Sequence, residues 1–109
     1  MTSPTFIYSV IATLPDDATL ETYINWLIDG HVQAVIDGGA ASAQVNRLEP
    51  NDRGDRRVES RYAFPDRAAF ETYERDTAPA LREDGIQRFG SIEGVSFERA
   101  TGHTIRRWP

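Results

Sequence analysis

This sequence predicts an α+β domain of β-α-β-β-α-β order, and three observations carry that expectation. Runs rich in Phe, Ile, Tyr and Val occupy residues 5–13 and 57–64, and a proline follows each of them. Behind each proline lies a segment whose apolar residues recur at helical spacing. Two further strand-like runs, 40–49 and 94–100, come after those helical segments. The chain of 109 residues suits one domain, 1–109, with a core over about 5–100 and a tail or strand extension over 101–109. At this length a chain buries roughly two-thirds of its unfolded surface, enough for one core without metal or disulfide.

The first strand, Thr5 to Thr13, carries Phe6, Ile7, Tyr8, Val10 and Ile11, so both of its faces are apolar. Pro15-Asp16-Asp17 ends it, and Asp17 is the expected N-cap of a helix over Ala18–Asp37. Leu20, Ile24, Leu27, His31 and Val35 form one stripe along that helix, with Trp26 on the opposite side. Gly38-Gly39 stops the helix, and a weaker strand of small and polar residues runs from Ala40 to Glu49.

Pro50 to Arg56 has hairpin composition. Arg57 to Phe64 then alternates Val58, Ser60, Tyr62 and Phe64 against Arg57, Glu59, Arg61 and Ala63, a period of two. Pro65 ends this strand and Asp66 caps a helix carrying Phe70 and Tyr73. Pro79 interrupts it, with Thr77 the expected cap of a new segment whose Leu81, Ile86 and Phe89 face inward up to Gly90. A last strand covers Gly94–Ala100. No internal repeat is expected and no tract is of low complexity.

This order folds with right-handed crossovers into a ferredoxin-like unit, a four-stranded antiparallel sheet with its helices on one face and strands one and three in the centre. The helices shield one flank of the first strand. The other flank, whether Phe6-Tyr8-Val10 or Ile7-Ile11, would stand as an apolar patch at mid-sheet. A twofold partner placed sheet to sheet removes that patch, so the expected assembly is a homodimer.

Composition excludes several classes of function. Without cysteine there is no disulfide framework, thiolate metal site, iron–sulfur cluster or cysteine nucleophile. The net charge of −5 opposes non-specific nucleic-acid binding, and Arg56-Arg57 and Arg106-Arg107 are too short to reverse it. All 12 basic residues are arginine, which reads as codon usage of a GC-rich bacterial genome. The stretch Met1–Thr5 is uncharged and the apolar run after it ends at Ala12, so neither a signal peptide nor a membrane span is expected. The expected setting is the cytoplasm. No cofactor and no metal are expected.

Four short stretches carry a family resemblance: Trp26-Leu27-Ile28-Asp29-Gly30-His31-Val32, Phe70-Glu71-Thr72-Tyr73, Ala78-Pro79-Ala80-Leu81-Arg82 and Arg88-Phe89-Gly90. With the element order over residues 6–100, the chain resembles a bacterial domain-of-unknown-function family within the dimeric α/β-barrel superfamily. The resemblance implies a ferredoxin-like domain paired into a barrel. The superfamily includes cofactor-independent monooxygenases, haem-degrading enzymes, chlorite dismutase-like proteins and muconolactone isomerases. This chain departs from their patterns, since it offers no recognisable haem-ligand histidine and no Asn/Trp/Arg set of the monooxygenase kind.

Among individual residues, His31 falls in mid-stripe. It reads either as a general base or ligand-orienting group, the weak catalytic candidate, or as a histidine bonded to the sheet for structure. Glu59 and Arg61 share one face of a central strand, where Ser9, Gln44, Asn46 and Glu98 could join them. They form either a polar pocket, with Arg61 holding an anion, or an interface network. Trp26 is an interface anchor or pocket wall, and Tyr8 and Tyr62 are pocket lining or core. His103 and His31 lack the spacing of a metal pair. Arg53-Gly54-Asp55 spells an adhesion tripeptide that turn chemistry explains. The expected function is therefore a homodimeric small-ligand-binding or scaffold protein. The alternatives are a cofactor-independent enzyme of monooxygenase or isomerase type, using His31 and Arg61, and a subunit that binds a protein partner.

Overall fold

A computed structural model describes residues 5–109; the reading of residues 1–4 as free of a leader lies outside them. The elements are β1 (Phe6–Leu14), α1 (Asp17–Trp26), a wide turn (Leu27–His31), α2 (Val32–Asp37), β2 (Ser42–Arg47), β3 (Arg56–Phe64), α3 (Arg67–Asp76), α4 (Ala78–Phe89) and β4 (Ser96–His103). The sheet order is β2-β3-β1-β4 and every neighbouring pair is antiparallel. This is the ferredoxin-like arrangement, with β1 and β3 central.

Strand parity decides where the core sits. On β1 the side chains of Phe6, Tyr8, Val10, Ala12 and Leu14 are buried beneath the helices, while Ile7, Ser9, Ile11 and Thr13 are half-buried on the other face. On β3, Val58, Ser60, Tyr62 and Phe64 join the buried set. One part of the core is aromatic, with Phe6, Tyr8, Phe64, Phe70 and Tyr73 in contact. The other gathers Leu14, Leu20, Tyr23, Leu27, Val58 and Phe89. Each fully buried large side chain contributes about 1.5–3 kcal/mol relative to exposure.

The structure reveals a repeat that the sequence reading did not find. Residues 14–23 (Leu-Pro-Asp-Asp-Ala-Thr-Leu-Glu-Thr-Tyr) and 64–73 (Phe-Pro-Asp-Arg-Ala-Ala-Phe-Glu-Thr-Tyr) agree at six of ten positions. Both span a strand end, a cap and a first helical turn. In the β1–β3 register Val10 lies opposite Ser60, and the pair Tyr8–Tyr62 is the counterpart of Ala12–Val58. An approximate twofold axis therefore passes through the sheet between Val10 and Ser60.

That repeat also corrects the first cap. Asp16, not Asp17, has the extended backbone of an N-cap, and its Oδ1 accepts from the Thr19 amide at 2.7 Å. Asp66 does the same for the Ala69 amide at 2.8 Å, as expected. Asp17 lies in the first turn, where Arg56 Nε reaches its carboxylate at 2.6 Å. Thr77 makes no side-chain cap on α4; its side chain packs against Gly38, where a Cβ would meet Thr77 Oγ1 at 2.8 Å.

Other boundaries move as well. β2 is shorter than expected, and β4 runs on to His103, with the Thr104 amide extending the ladder to the Thr5 carbonyl at 2.9 Å. Ile86 is 61% exposed and stands beside an open cleft rather than packing in the core with Phe89. In the β2–β3 connection, Asn51 Oδ1 accepts from the Arg53 and Asp55 amides and Arg53 pairs with Asp55. Turn chemistry thus occupies the Arg-Gly-Asp tripeptide.

Candidate ligand-binding cleft

The expected single helix over Ala18–Asp37 is broken, and the break builds the site. Asp29 and Gly30 leave helical geometry, Gly30 at φ +142°, and the Val32 amide bonds back to the Leu27 carbonyl, five residues earlier. One extra residue per turn brings side chains five apart into line. Trp26 and His31 consequently stack, ring centroids 4.1 Å apart. Trp26, expected on the side opposite the core stripe as an interface anchor or pocket wall, is thereby turned toward α4. Its indole N–H donates to Asp84 Oδ2 at 3.0 Å, and its ring lies against Gly85, where a Cβ would come within 3.3 Å. A glycine inside a helix costs about 1 kcal/mol relative to alanine, and here it admits the indole.

Between the inner sheet face and α1, α3 and α4 lies a cleft of about 210 Å³. Tyr8, Val10, Ser60, Tyr62, Phe97 and Arg99 form its floor, and Tyr23, Trp26, His31, Tyr73, Leu81, Arg82, Gly85 and Ile86 its walls. Tyr23 and Tyr73, equivalent in the internal repeat, face it together. A groove bordered by Trp26, His31 and Leu81 adjoins the cleft, and another bordered by Tyr8, Arg82 and Arg99.

Two buried polar atoms on this lining have no hydrogen-bond partner, His31 Nδ1 and Tyr62 Oη. Burial pushes the His31 imidazole down to about 4, against the opposing charge of Asp84, so the ring is neutral at pH 7. Burial likewise pushes the Tyr62 hydroxyl up to about 12 and raises those of Tyr23 and Tyr73, so all three stay protonated. Arg82 pairs with Glu74, and Arg99 Nε donates to Tyr8 Oη at 3.3 Å. The cleft can therefore seat a flat apolar body and meet it with several hydrogen-bonding groups.

The open face of the sheet carries a separate polar cluster. Glu59 accepts from Ser9 Oγ at 2.8 Å and from Asn46 Nδ2 at 3.1 Å, with Arg61 Nε at 3.5 Å. Burial acts to raise the Glu59 carboxyl, but the Ser9 and Asn46 bonds and the Arg61 charge outweigh it and hold it below the usual range. Gln44 and Glu98 share this face by register.

The sheet thus divides the candidate residues. Tyr8, Tyr62, Trp26 and His31 meet in the cleft, whereas Glu59 and Arg61 lie behind it. The pairing of His31 with Arg61 as base and anion holder is corrected accordingly, since β-strand alternation sends odd-numbered β3 residues away from the helices. The cations of the cleft are Arg82 and Arg99, which the sequence reading passed over. Arg99 reaches the inner face through the β1–β4 register, which sets it across from Val10 and which no local sequence signal fixes. His103 packs edge-on against Phe6. Among the described residues no group of three His, Cys, Asp or Glu side chains could hold a metal, and no helix is long and apolar enough to cross a membrane.

No curated protein matches the chain in sequence. Among solved structures it is similar to a dimeric ferredoxin-like protein from an uncultured marine organism, with 20% identity over 97% of this chain and 100% of that one, at a TM-score of 0.72. It is also similar to a monooxygenase from the gene ActVA-Orf6 of Streptomyces coelicolor in complex with nanaomycin D (12% identity, 97% and 92% covered, TM-score 0.72). HapK from Hahella chejuensis aligns as well (19% identity, 96% and 96% covered, TM-score 0.65). At these identities the likeness establishes the fold. Residues 5–101 match the family described as "Domain of unknown function (DUF4286)", and the chain belongs to that family.

Proposed function

We propose that this protein is a homodimeric binding protein for a small planar ligand seated in the cleft between the sheet and α1, α3 and α4. The carrying observation is that one aromatic-lined cavity has both His31 and Tyr62 in its lining, each with a buried polar atom, Nδ1 and Oη, that lacks a geometric hydrogen-bond partner. Leaving a buried polar atom unpaired costs about 1–3 kcal/mol, and such atoms call for an explanation. A ligand group that bonds them supplies one. The volume, below the roughly 300–1,000 Å³ of drug-sized sites, suits a small metabolite. A protein of similar fold, the Streptomyces coelicolor monooxygenase, holds a small molecule, which supports the reading by analogy of fold.

The homodimer rests on the open face. Ile7 and Ile11 lie there half-buried beside the Ser9–Glu59–Asn46 cluster, in the middle strand of the sheet. A second copy placed face to face would cover them and enclose the cluster. The similar ferredoxin-like protein from an uncultured marine organism is dimeric, which supports this reading. The arginine-only set of basic residues supports a bacterial origin, and the bacterial cytoplasm is the setting we assign.

Titration with phenol, a neutral one-ring probe, tests the cleft. In ¹⁵N spectra it should shift the Trp26 indole N–H and the amides near His31 and Tyr62 saturably. Shifts scattered over the surface, or none up to millimolar phenol, would refute the cleft as a binding site.

A further inference from the structure

Resting on the cleft reading above, we infer that the ligand is an aromatic carboxylate, its ring among the tyrosines and its carboxylate held by Arg99 together with the Tyr8 hydroxyl. Charge on the inner sheet face is the first observation. The helix-covered positions of β1 from Phe6 to Leu14 and of β3 from Val58 to Phe64 carry no ionisable group apart from tyrosine. Arg99 breaks that pattern on β4, directly across from Val10.

Pairing is the second. Arg82 is neutralised by Glu74, but among the described residues Arg99 has no carboxylate within salt-bridge distance. Its guanidinium lies over the Phe97 ring, 5.8 Å from the centroid, and commits only Nε, to Tyr8 Oη. A guanidinium has five N–H donors, so the outer fork stays free for two parallel bonds to a carboxylate. Tyr8 Oη, already accepting from Arg99, has its own proton to give. Arg82, Glu74 and Arg99 together leave this mouth at +1, in a chain whose net charge is −5. An anion is therefore drawn to this spot against the field of the whole molecule.

Access is the third. The groove bordered by Tyr8, Arg82 and Arg99 is open, so the carboxylate keeps part of its hydration and avoids the full desolvation penalty. The narrow cleft behind it takes the ring.

The test compares 4-hydroxybenzoate with its neutral isostere 4-hydroxybenzamide, by ¹⁵N titration and calorimetry. The acid should bind at least about tenfold more tightly, the expected size of a charge-assisted bond pair, and that margin should shrink with added salt. Arg99→Gln should bring acid and amide together, while its dispersed spectrum stays that of the parent and its melting temperature falls by no more than a few degrees, since Arg99 is exposed and gives up only one long bond to Tyr8. Glu74→Gln should act oppositely and tighten the acid several-fold by freeing Arg82. Equal binding of acid and amide, or an acid preference that survives Arg99→Gln, overturns the proposal. If phenol shifts the cleft resonances and the acid holds no advantage, the charge assignment fails and the cleft reading stands. If neither probe shifts them, the cleft reading fails and this inference with it.

Discussion

Trp26 and His31 stack with their planes 29° apart although five residues separate them. A regular α-helix turns 100° per residue and would hold these side chains about 140° from each other. The widened turn at Leu27–His31, made possible by Gly30 at φ +142°, closes that gap. Nothing lies within 4 Å of where a Gly30 Cβ would be, so space does not oppose a side chain, and only the backbone does. Gly30→Ala should destabilise the fold by about 1–3 kcal/mol in urea unfolding and shift the Trp26 indole resonance away from its stacked position.

The buried His31 gives stability a pH dependence of known sign. Its folded value of about 4 lies below the unfolded 6.5, so the unfolded chain takes up the proton first as pH falls. Stability should be flat above pH 6.5 and decline between pH 6.5 and 4, by on the order of 2 kcal/mol after allowance for partial solvent screening. Asp84 faces the ring, and its carboxylate, held below the usual range by the Trp26 indole and Arg88, stays ionised across that window. His31→Gln should flatten the decline when urea unfolding is repeated at intervals from pH 7.5 to 4.5.

The two repeated caps should respond alike. Asp16→Ala and Asp66→Ala each remove a side-chain acceptor from a first-turn amide, so each should lower the melting temperature by roughly 5 °C. Asp17→Ala removes only an exposed pair with Arg56 and should change it far less. Calorimetry of the three variants distinguishes the cap at Asp16 from the one expected at Asp17.

The open sheet face should report on assembly. Ile11→Asp sets a second carboxylate opposite Glu59, its register partner on β3, in the region the proposed twofold mate covers. Sedimentation should show a dimer for the parent and a monomer for this variant, with the dissociation constant raised at least about a hundredfold. A parent that sediments as a monomer at micromolar concentration would remove the homodimer.

Much of the architecture was legible because it depends on local chemistry and periodicity. Period-two alternation over Val58–Phe64, the prolines at 15 and 65 and the apolar run at Phe6–Ile11 were enough for element order, and element order for the ferredoxin-like topology. The polar cluster was legible too. Glu59 and Arg61 on one face of a central strand drew in Ser9 and Asn46, both of which bond Glu59.

What only the tertiary structure decided was how the elements meet. No periodicity reveals that a glycine at 30 widens one turn, since the preceding stripe continues through His31 and Val35 as though the helix were whole. That turn carries Trp26 to α4 and His31 to the cleft. Strand register, set by long-range pairing rather than by any local signal, placed Arg99 beside Tyr8 and left Arg61 on the far side of the sheet. Residue types and their spacing determined the fold, whereas the cleft arose from contacts between segments dozens of residues apart, which no local pattern encodes.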